Sequence, residues 1–334
     1  MQLSPSQVVS LPILSFPRAA SLAKAACLLL VLGFMAGCST TGTLGTVEAP
    51  RPAGDPTRHA ALVVDGNNGK VLYQVNAEAA RYPASLTKMM TIYMTLEALE
   101  AGRLTKSTPI PVSAYAASRP PTKIGFRPGQ TIDVDSAIYA LVTKSANDVA
   151  VALGEALGGT EERFAEMMTA KARQLGMRNT VFRNASGLPD DRQMTTARDM
   201  AVLGLSLRKR FPQHYAYFGA RSFAFAGKTI RGHNDLLGRV EGVDGIKTGY
   251  IRASGFNIVT SVNSEGRKLV VVVMGGDTAR SRNAEVEQLI ERFLPQASRG
   301  PTAVAAAPAV SMPPAPAPEM ALAGAPVRPE MPIE

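Results

Sequence analysis

The sequence predicts an α+β domain, α/β in the broad sense: one antiparallel sheet made by strands from both ends of the folded stretch, with a helical region beside it. Two observations carry this expectation. β-prone runs split by turn residues occur at the start and again at the end of one stretch of about 240 residues. Between them, apolar residues recur at helical spacing.

The first run, Ala60 to Asp65, is followed by Gly66-Asn67-Asn68-Gly69-Lys70 and then by Val71 to Asn76, which reads as a hairpin. The second pair, Phe256 to Val262 and Leu269 to Met274, flanks Asn263-Ser264-Glu265-Gly266-Arg267. Helices are expected over Leu86–Leu99, Ser136–Leu157, Thr160–Leu175 and Ala197–Leu207. A last amphipathic segment, Ala284–Phe293, places Val286, Leu289, Ile290 and Phe293 on one face.

The flanks differ in composition. Arg18 and Lys24 precede the apolar run from Ala25 to Gly37, too short to span a bilayer comfortably but suited to an export signal. Met35-Ala36-Gly37-Cys38 resembles a bacterial lipobox, with Met35 in place of the usual Leu. The expected organisation is therefore a lipoprotein-type signal over 1–37 and a flexible tether over 38–57. A folded domain over 58–295 and a disordered Ala/Pro-rich tail over 296–334 complete it. A lipid on Cys38 would hold the exported protein at a membrane in the cell envelope.

The chain has 334 residues, 46% hydrophobic and 19% charged, which excludes a wholly disordered or collagen-like protein. Its formal net charge of +9 favours acidic partners without choosing among them. No basic-aromatic motif points to nucleic acid. Both cysteines, Cys27 and Cys38, precede the folded stretch, so neither a disulfide nor a cysteine-ligated zinc site is expected within it. His59, His214 and His233 are scattered, and are read as surface or hydrogen-bonded structural residues rather than metal ligands. No metal or cofactor is implied.

Three short motifs carry chemistry. In Pro83-Ala84-Ser85-Leu86-Thr87-Lys88 a serine opens a helix, and Lys88 returns to the same face one turn later. A desolvated lysine beside another cation can lose its proton near neutral pH and serve as base to Ser85. Ser21–Lys24 and Ser206–Lys209 share the spacing but not the position at a helix start. Ser145-Ala146-Asn147 offers a second hydroxyl for proton relay and a carboxamide able to hold a substrate amide. In Lys247-Thr248-Gly249-Tyr250, placed where a strand would begin, Lys247 and Thr248 can bind a carboxylate. Gly249 would let a ligand backbone approach, and Lys247 would help depress the Lys88 pKa.

The order Ser-x-x-Lys, Ser-x-Asn about sixty residues on and Lys-Thr-Gly about a hundred beyond resembles that of serine penicillin-binding proteins and β-lactamases. Tyr82 to Thr91, Ser145 to Asp148, Asn184 to Leu188, Thr196 to Ala201 and Val243 to Gly249 are similar to landmarks of the low-molecular-mass D-alanyl-D-alanine carboxypeptidases. The resemblance implies a β-lactamase/transpeptidase-like fold and an acyl transfer on peptidoglycan stem peptides. Ser85 would be the nucleophile, Lys88 its base and Ser145 the proton relay to the departing D-alanine. Asn147 would hold the substrate amide, Lys247, Thr248 and Arg282 the terminal carboxylate, with Arg280 able to substitute for Arg282. The backbone amides of Ser85 and Tyr250 would form the oxyanion site. β-Lactams would acylate Ser85 and leave slowly, since no Glu-x-x-Leu-Asn segment of the class A β-lactamases is present. The family's typical members continue into a β-rich domain and an amphipathic anchor, where this chain has its Ala/Pro tail. Two rival readings are a DD-endopeptidase cutting cross-links and a non-catalytic penicillin-binding sensor or scaffold.

Overall fold

Two strands open the domain and three close it, and all five lie in one antiparallel sheet. The computed structural model describes residues 54–300 except residue 56. The expected export signal, Cys38, nearly all of the tether and the tail beyond residue 300 lie outside the described residues. Strands β1 (Ala60–Asp65) and β2 (Val71–Val75) form the first hairpin. The last strands are β7 (Val243–Ile251), β8 (Gly255–Ser264) and β9 (Arg267–Gly276), and the sheet order is β2-β1-β9-β8-β7. The two chain ends meet along β1 and β9, in register from Ala60 opposite Met274 to Asp65 opposite Leu269.

Side chains of alternate residues in a strand point to opposite faces, and here both faces are buried. Leu62, Val64, Val270 and Val272 join one core cluster, whereas Ala61, Val63, Val271 and Val273 join another. The first cluster packs under helix α1 (Lys88–Glu100) and helix α6 (Ala197–Arg210). The second is covered by α7 (Ala279–Phe293) through Val286, Leu289, Ile290 and Phe293. Helix α1 is buried on nearly all sides rather than along one stripe, because other helices pack on the side away from the sheet.

The remaining elements are the pair β3 (Pro109–Pro111) and β4 (Thr131–Asp133), the single turn α2 (Ala114–Ala117), α3 (Val134–Val142), α4 (Asn147–Gly158) and α5 (Glu161–Gln174). A second small hairpin, β5 (Ser222–Phe225) with β6 (Lys228–Arg231), follows α6. The helix expected over Ser136–Leu157 is two helices, interrupted where Ser145 takes φ +60°. No Gly or Pro marks that break. It is closed instead by Thr143 Oγ1 donating back to Tyr139 O at 2.7 Å and by Asn147 N donating to Thr122 O at 2.7 Å.

The final helix begins at Ala279, five residues before the expected Ala284. A capping box explains the difference: Ser281 N donates to Thr278 Oγ1 and Thr278 N to Ser281 Oγ. This extra turn carries Arg282. At the other end the chain stays on the domain as far as Gly300, with Ser298 N donating to Asp65 Oδ2 at 2.6 Å and Arg299 bridging to Arg267.

Candidate active site

The first turn of Ser85's element is a 3-10 turn, Ala84–Thr87, running directly into α1. Ala84 enters it at φ +48°, a conformation that costs a non-glycine residue about 1 kcal/mol or more and persists only where the surroundings enforce it. Two glycines do so. A Cβ on Gly187 would lie 1.8 Å from Ala84 O, and one on Gly249 would lie 3.0 Å from Ser85 N and 3.2 Å from Leu86 N. Gly249 lines the cavity, and its missing side chain is needed also by the nucleophile turn, which β7 abuts. A third tie is Asn257 on β8, whose Nδ2 donates to Tyr82 O at 3.0 Å while its Oδ1 accepts from Gly275 N at 3.0 Å.

Lys88, fully buried, places Nζ 3.1 Å from Ser85 Oγ, 2.8 Å from Asn147 Oδ1 and 2.5 Å from Ser186 O. The last two are obligate acceptors. An ammonium therefore fills all three positions, but a neutral amine spends its two N–H bonds on Asn147 and Ser186 and turns its lone pair to the Ser85 hydroxyl. Neutrality is favoured by burial first and by the Lys247 charge second, which hold the Lys88 pKa well below 10.5 against the pull of Asp148 and Glu161.

The break between α3 and α4 presents Ser145, whose buried Oγ has no hydrogen-bond partner among the described residues. Asn147 gives Oδ1 to Lys88 and one Nδ2 hydrogen to Pro120 O at 2.8 Å, leaving one N–H for a ligand carbonyl. Its neighbour Asp148 accepts from Gly125 N at 2.8 Å and Ile124 N at 3.1 Å, fastening the segment that brings Pro121 and Thr122 over the site.

Opposite lies β7. Lys247 is 1% exposed, and its Nζ donates to Thr248 O at 2.8 Å. Burial, and then the Arg282 charge, bring its pKa down to about 7. Arg282, on the first turn of α7, is held by Asn283 Oδ1 at 2.6 Å and by Asn257 O at 3.1 Å. Burial lowers its pKa to about 10, with Asp235 opposing. A cavity of about 530 Å³ is walled by Ser85, Ser145, Asn147, Thr248, Tyr250 and Arg282. Arg282 therefore reaches the cavity and the exposed Arg280 does not line it. Lys247 stands just behind Thr248 and contributes charge from beneath the wall. Among the described residues, no group of three or more His, Cys, Asp or Glu could hold a metal ion.

The arrangement combines a hydroxyl with a buried amine of lowered pKa against it, a second hydroxyl with no partner among the described residues, and a cationic corner. A protein-family model described as D-alanyl-D-alanine carboxypeptidase matches residues 46–278. The chain belongs to this family, peptidase S11. Among the D-alanyl-D-alanine carboxypeptidases, it is 35% identical to DacA of Escherichia coli K12 over 69% of this chain and 59% of that protein. To DacF of Bacillus subtilis it is 32% identical over 70% of this chain and 61% of the relative. The chain thus spans about three fifths of the length of these curated relatives. Penicillin binding protein 5 of Haemophilus influenzae aligns with TM-score 0.69 and 30% identity, covering 73% of this chain and 71% of that one. Penicillin-binding protein D2 of Listeria monocytogenes, solved in an ampicillin-bound form, aligns with TM-score 0.63 and 30% identity over 72% and 98%.

In this S11 chain, three motifs spread over more than half the domain converge on one cavity. Five further contributors lie outside these three motifs, one of them, Ser186, within the Asn184–Leu188 landmark segment. Ser186 acts through a backbone carbonyl, and Asn257 holds the nucleophile turn from β8. Glu161 is buried behind the site and accepts from Ala185 N at 2.9 Å. His233, expected to be a surface or structural residue, lines the cavity rim with Asp235, and its pKa is lowered first by loss of solvent around the ring and then by Lys247 and Lys144. The only advance signal for His233 and Asp235 is their position shortly before Lys247 in sequence. His59, by contrast, is a buried structural residue bonded to Glu285 at 2.9 Å.

Proposed function

We propose that this chain is a serine-type D-alanyl-D-alanine carboxypeptidase that removes the terminal D-alanine from peptidoglycan stem pentapeptides. The observation that carries the reading is the set of bonds around Lys88, which leaves only the direction of Ser85 for the lone pair of its neutral amine. Lys88 takes the Ser85 proton as Oγ attacks the carbonyl between the two D-alanines. The oxyanion is received by the backbone amides of Ser85 and Tyr250, each such donor worth about 3 to 4 kcal/mol in the transition state. The C–N bond breaks as Ser145 passes its proton to the departing amine and is reprotonated by the Lys88 ammonium, leaving an ester on Ser85 and Lys88 neutral again. Water, deprotonated by Lys88, hydrolyses that ester and regenerates the hydroxyl.

Asn147 supplies its remaining N–H to the substrate amide, and Thr248 and Arg282 receive the terminal carboxylate over the buried Lys247 charge. A β-lactam enters the same steps with its ring amide, but its leaving group stays tethered. It therefore remains on Ser85 as a long-lived adduct. A solved relative with ampicillin bound is consistent with this.

The test is release of D-alanine from a stem pentapeptide by the exported domain. Ser85→Ala is expected to abolish both that release and covalent labelling by a fluorescent penicillin, and turnover retained by the variant would end the mechanism. Products on defined cross-linked muropeptides separate this reading from an endopeptidase. Lipid anchoring through Cys38 belongs to the same proposal: Cys38→Ser is expected to move the protein from the membrane to the soluble fraction, and a variant that stays with the membrane refutes the anchor.

A further inference from the structure

Three segments meet at the sheet end nearest the cavity: the residues leading into β1, the end of β9 and the first turn of α7, whose Ala279 and Arg282 line the cavity wall. Two glycines let their backbones touch. A Cβ on Gly275 would lie 2.2 Å from Arg58 O and 2.9 Å from His59 N, and one on Gly276 would lie 2.8 Å from the Cβ of Arg282. Farther along, α7 rests on the sheet through Val286 and Leu289, but apolar packing is non-directional and does not by itself fix how the first turn is rotated.

His59 supplies a directional bond there. Its Nε2 donates to both oxygens of Glu285, at 2.9 and 3.2 Å, and both side chains are buried. A carboxylate only accepts, so the hydrogen lies on Nε2. Glu285 is three residues beyond Arg282, one turn along the same helix. The backbone of the His59 segment reaches the other way: His59 O accepts from the Arg81 guanidinium at 3.0 Å and Arg58 O accepts from Arg81 Nε at 2.8 Å. Arg81 leads through Tyr82 and Pro83 into the Ser85 turn. His59 thus joins the segment entering the nucleophile turn to the helix that carries Arg282. A buried polar pair adds little stability over apolar residues of the same volume, whereas it does impose an orientation.

We infer that the His59–Glu285 bond is a positioning device for recognition of the substrate's chain end: it fixes the first turn of α7, and with it Arg282, relative to Ser85. It thereby sets how strictly the enzyme requires a free carboxylate one residue beyond the carbonyl it attacks. The inference rests on the carboxypeptidase reading above. The Ser85 turn has its own supports in Gly187, Gly249 and Asn257, so loss of the bond displaces the carboxylate receptor and leaves the nucleophile in place.

The experiment gives the full-length enzyme two stem pentapeptides that differ only at the terminus, one ending in D-Ala-D-Ala and the other in D-Ala-D-Ala amide, which lacks the carboxylate. The unaltered enzyme is expected to favour the acid by about a hundredfold in kcat/KM, the scale of a well-placed charged hydrogen bond. His59→Leu fills the space but cannot donate. It should lower kcat/KM for the acid about tenfold and leave the amide within about twofold, so that the ratio collapses. His59→Gln, whose amide can reach the same oxygens, should restore most of the ratio, and Glu285→Gln should lower it about threefold. In an Arg282→Leu background the ratio is already small, and adding His59→Leu should change it no further. Equal losses on both peptides mean that the pair serves only the fold, and they overturn the inference. So does a further fall in the Arg282→Leu background, or a ratio unchanged by His59→Leu. Should His59→Leu not fold, Glu285→Gln decides by the same ratio. An unaltered enzyme that does not distinguish acid from amide overturns the inference and leaves cleavage standing, whereas turnover of neither peptide removes the carboxypeptidase reading itself.

Discussion

Two buried lysines lie behind opposite walls of the same cavity, and their surroundings differ. Lys88, on α1, sits among acceptors: a serine hydroxyl, a carboxamide oxygen and a backbone carbonyl. Lys247, on β7, is bonded to the carbonyl of its neighbour Thr248, with the Arg282 cation nearby and no ion pair of its own among the described residues. Burial lowers the pKa of both, yet the consequences are opposite. The α1 wall can use a neutral amine, since its two N–H bonds have fixed partners and the lone pair has a hydroxyl. Among the described residues Lys247 and Arg282 have no ion-pair partner, and only the charge of Asp235 acts on Arg282, so a bound carboxylate supplies the anion they lack. On the proposed mechanism, similar desolvation thus makes a base on one side and an anion receptor on the other, decided by the acceptors within reach.

The largest test of this contrast is to exchange the amine for a cation that cannot lose its proton. Lys88→Arg keeps a charge and hydrogen-bond donors but never becomes a base near neutral pH. Turnover is expected to fall by about a thousandfold or more, within the range general-base catalysis supplies. Lys247→Arg, which preserves the charge its wall needs, should fall much less and chiefly through KM. Comparable losses in kcat for the two variants would erase the distinction.

The pH profile sharpens the same comparison. In the proposed mechanism the neutral form of Lys88 is the active one, so activity is expected to rise as pH climbs through its lowered pKa and to stay high above it. The protonated form of Lys247 is the binding one, so affinity for the carboxylate weakens as pH passes about 7. The expected kcat/KM profile is bell-shaped with its alkaline limb set by Lys247. A bound carboxylate raises the Lys247 pKa, so the alkaline fall in kcat should lie at higher pH than that in kcat/KM. Initial rates across pH 5 to 10 measure both limbs (about five pH units are enough to see two titrations). An alkaline limb unchanged in Lys247→Arg would assign it to another group.

The difference between the walls also explains what could be read in advance. Ser85 and Lys88 are three residues apart, and local helical geometry alone brings them within 3.1 Å. The meeting of β1 with β9 followed from β-prone runs at both ends of the domain, since each hairpin needed partners to bury two apolar faces. What stayed hidden depends on contacts distant in sequence or on backbone shape. Ser186 is 98 residues from Lys88 and offers only a carbonyl, which no residue-type pattern encodes. The left-handed turn at Ser145 carries no glycine, so a continuous apolar period ran through it as one helix. The role proposed for Arg282 required a resemblance, because a lone guanidinium has no spacing of its own, whereas Lys247 and Thr248 suggested a carboxylate site directly.

The distance between the two walls is itself set by one residue, and that gives the smallest effect and the most local test. Gly249 follows Thr248 on β7 and packs against the Ser85 turn, where an added Cβ would stand 3.0 Å from Ser85 N and 3.2 Å from Pro83 O. These are backbone atoms of a turn already fixed by Gly187 and Asn257, so they cannot yield as a side-chain end would. Gly249→Ala must therefore push β7 away by a few tenths of an ångström, separating the amides of Tyr250 and Ser85 proposed to receive the oxyanion. The expected cost is about ten- to a hundredfold in kcat/KM, with about 1 to 2 kcal/mol lost in folding stability from overpacking. Acylation by penicillin should slow in parallel, since it uses the same two amides. Thermal unfolding measured beside the kinetics separates the two effects, and a variant destabilised by that amount yet fully active would show that the walls are not held apart by this contact.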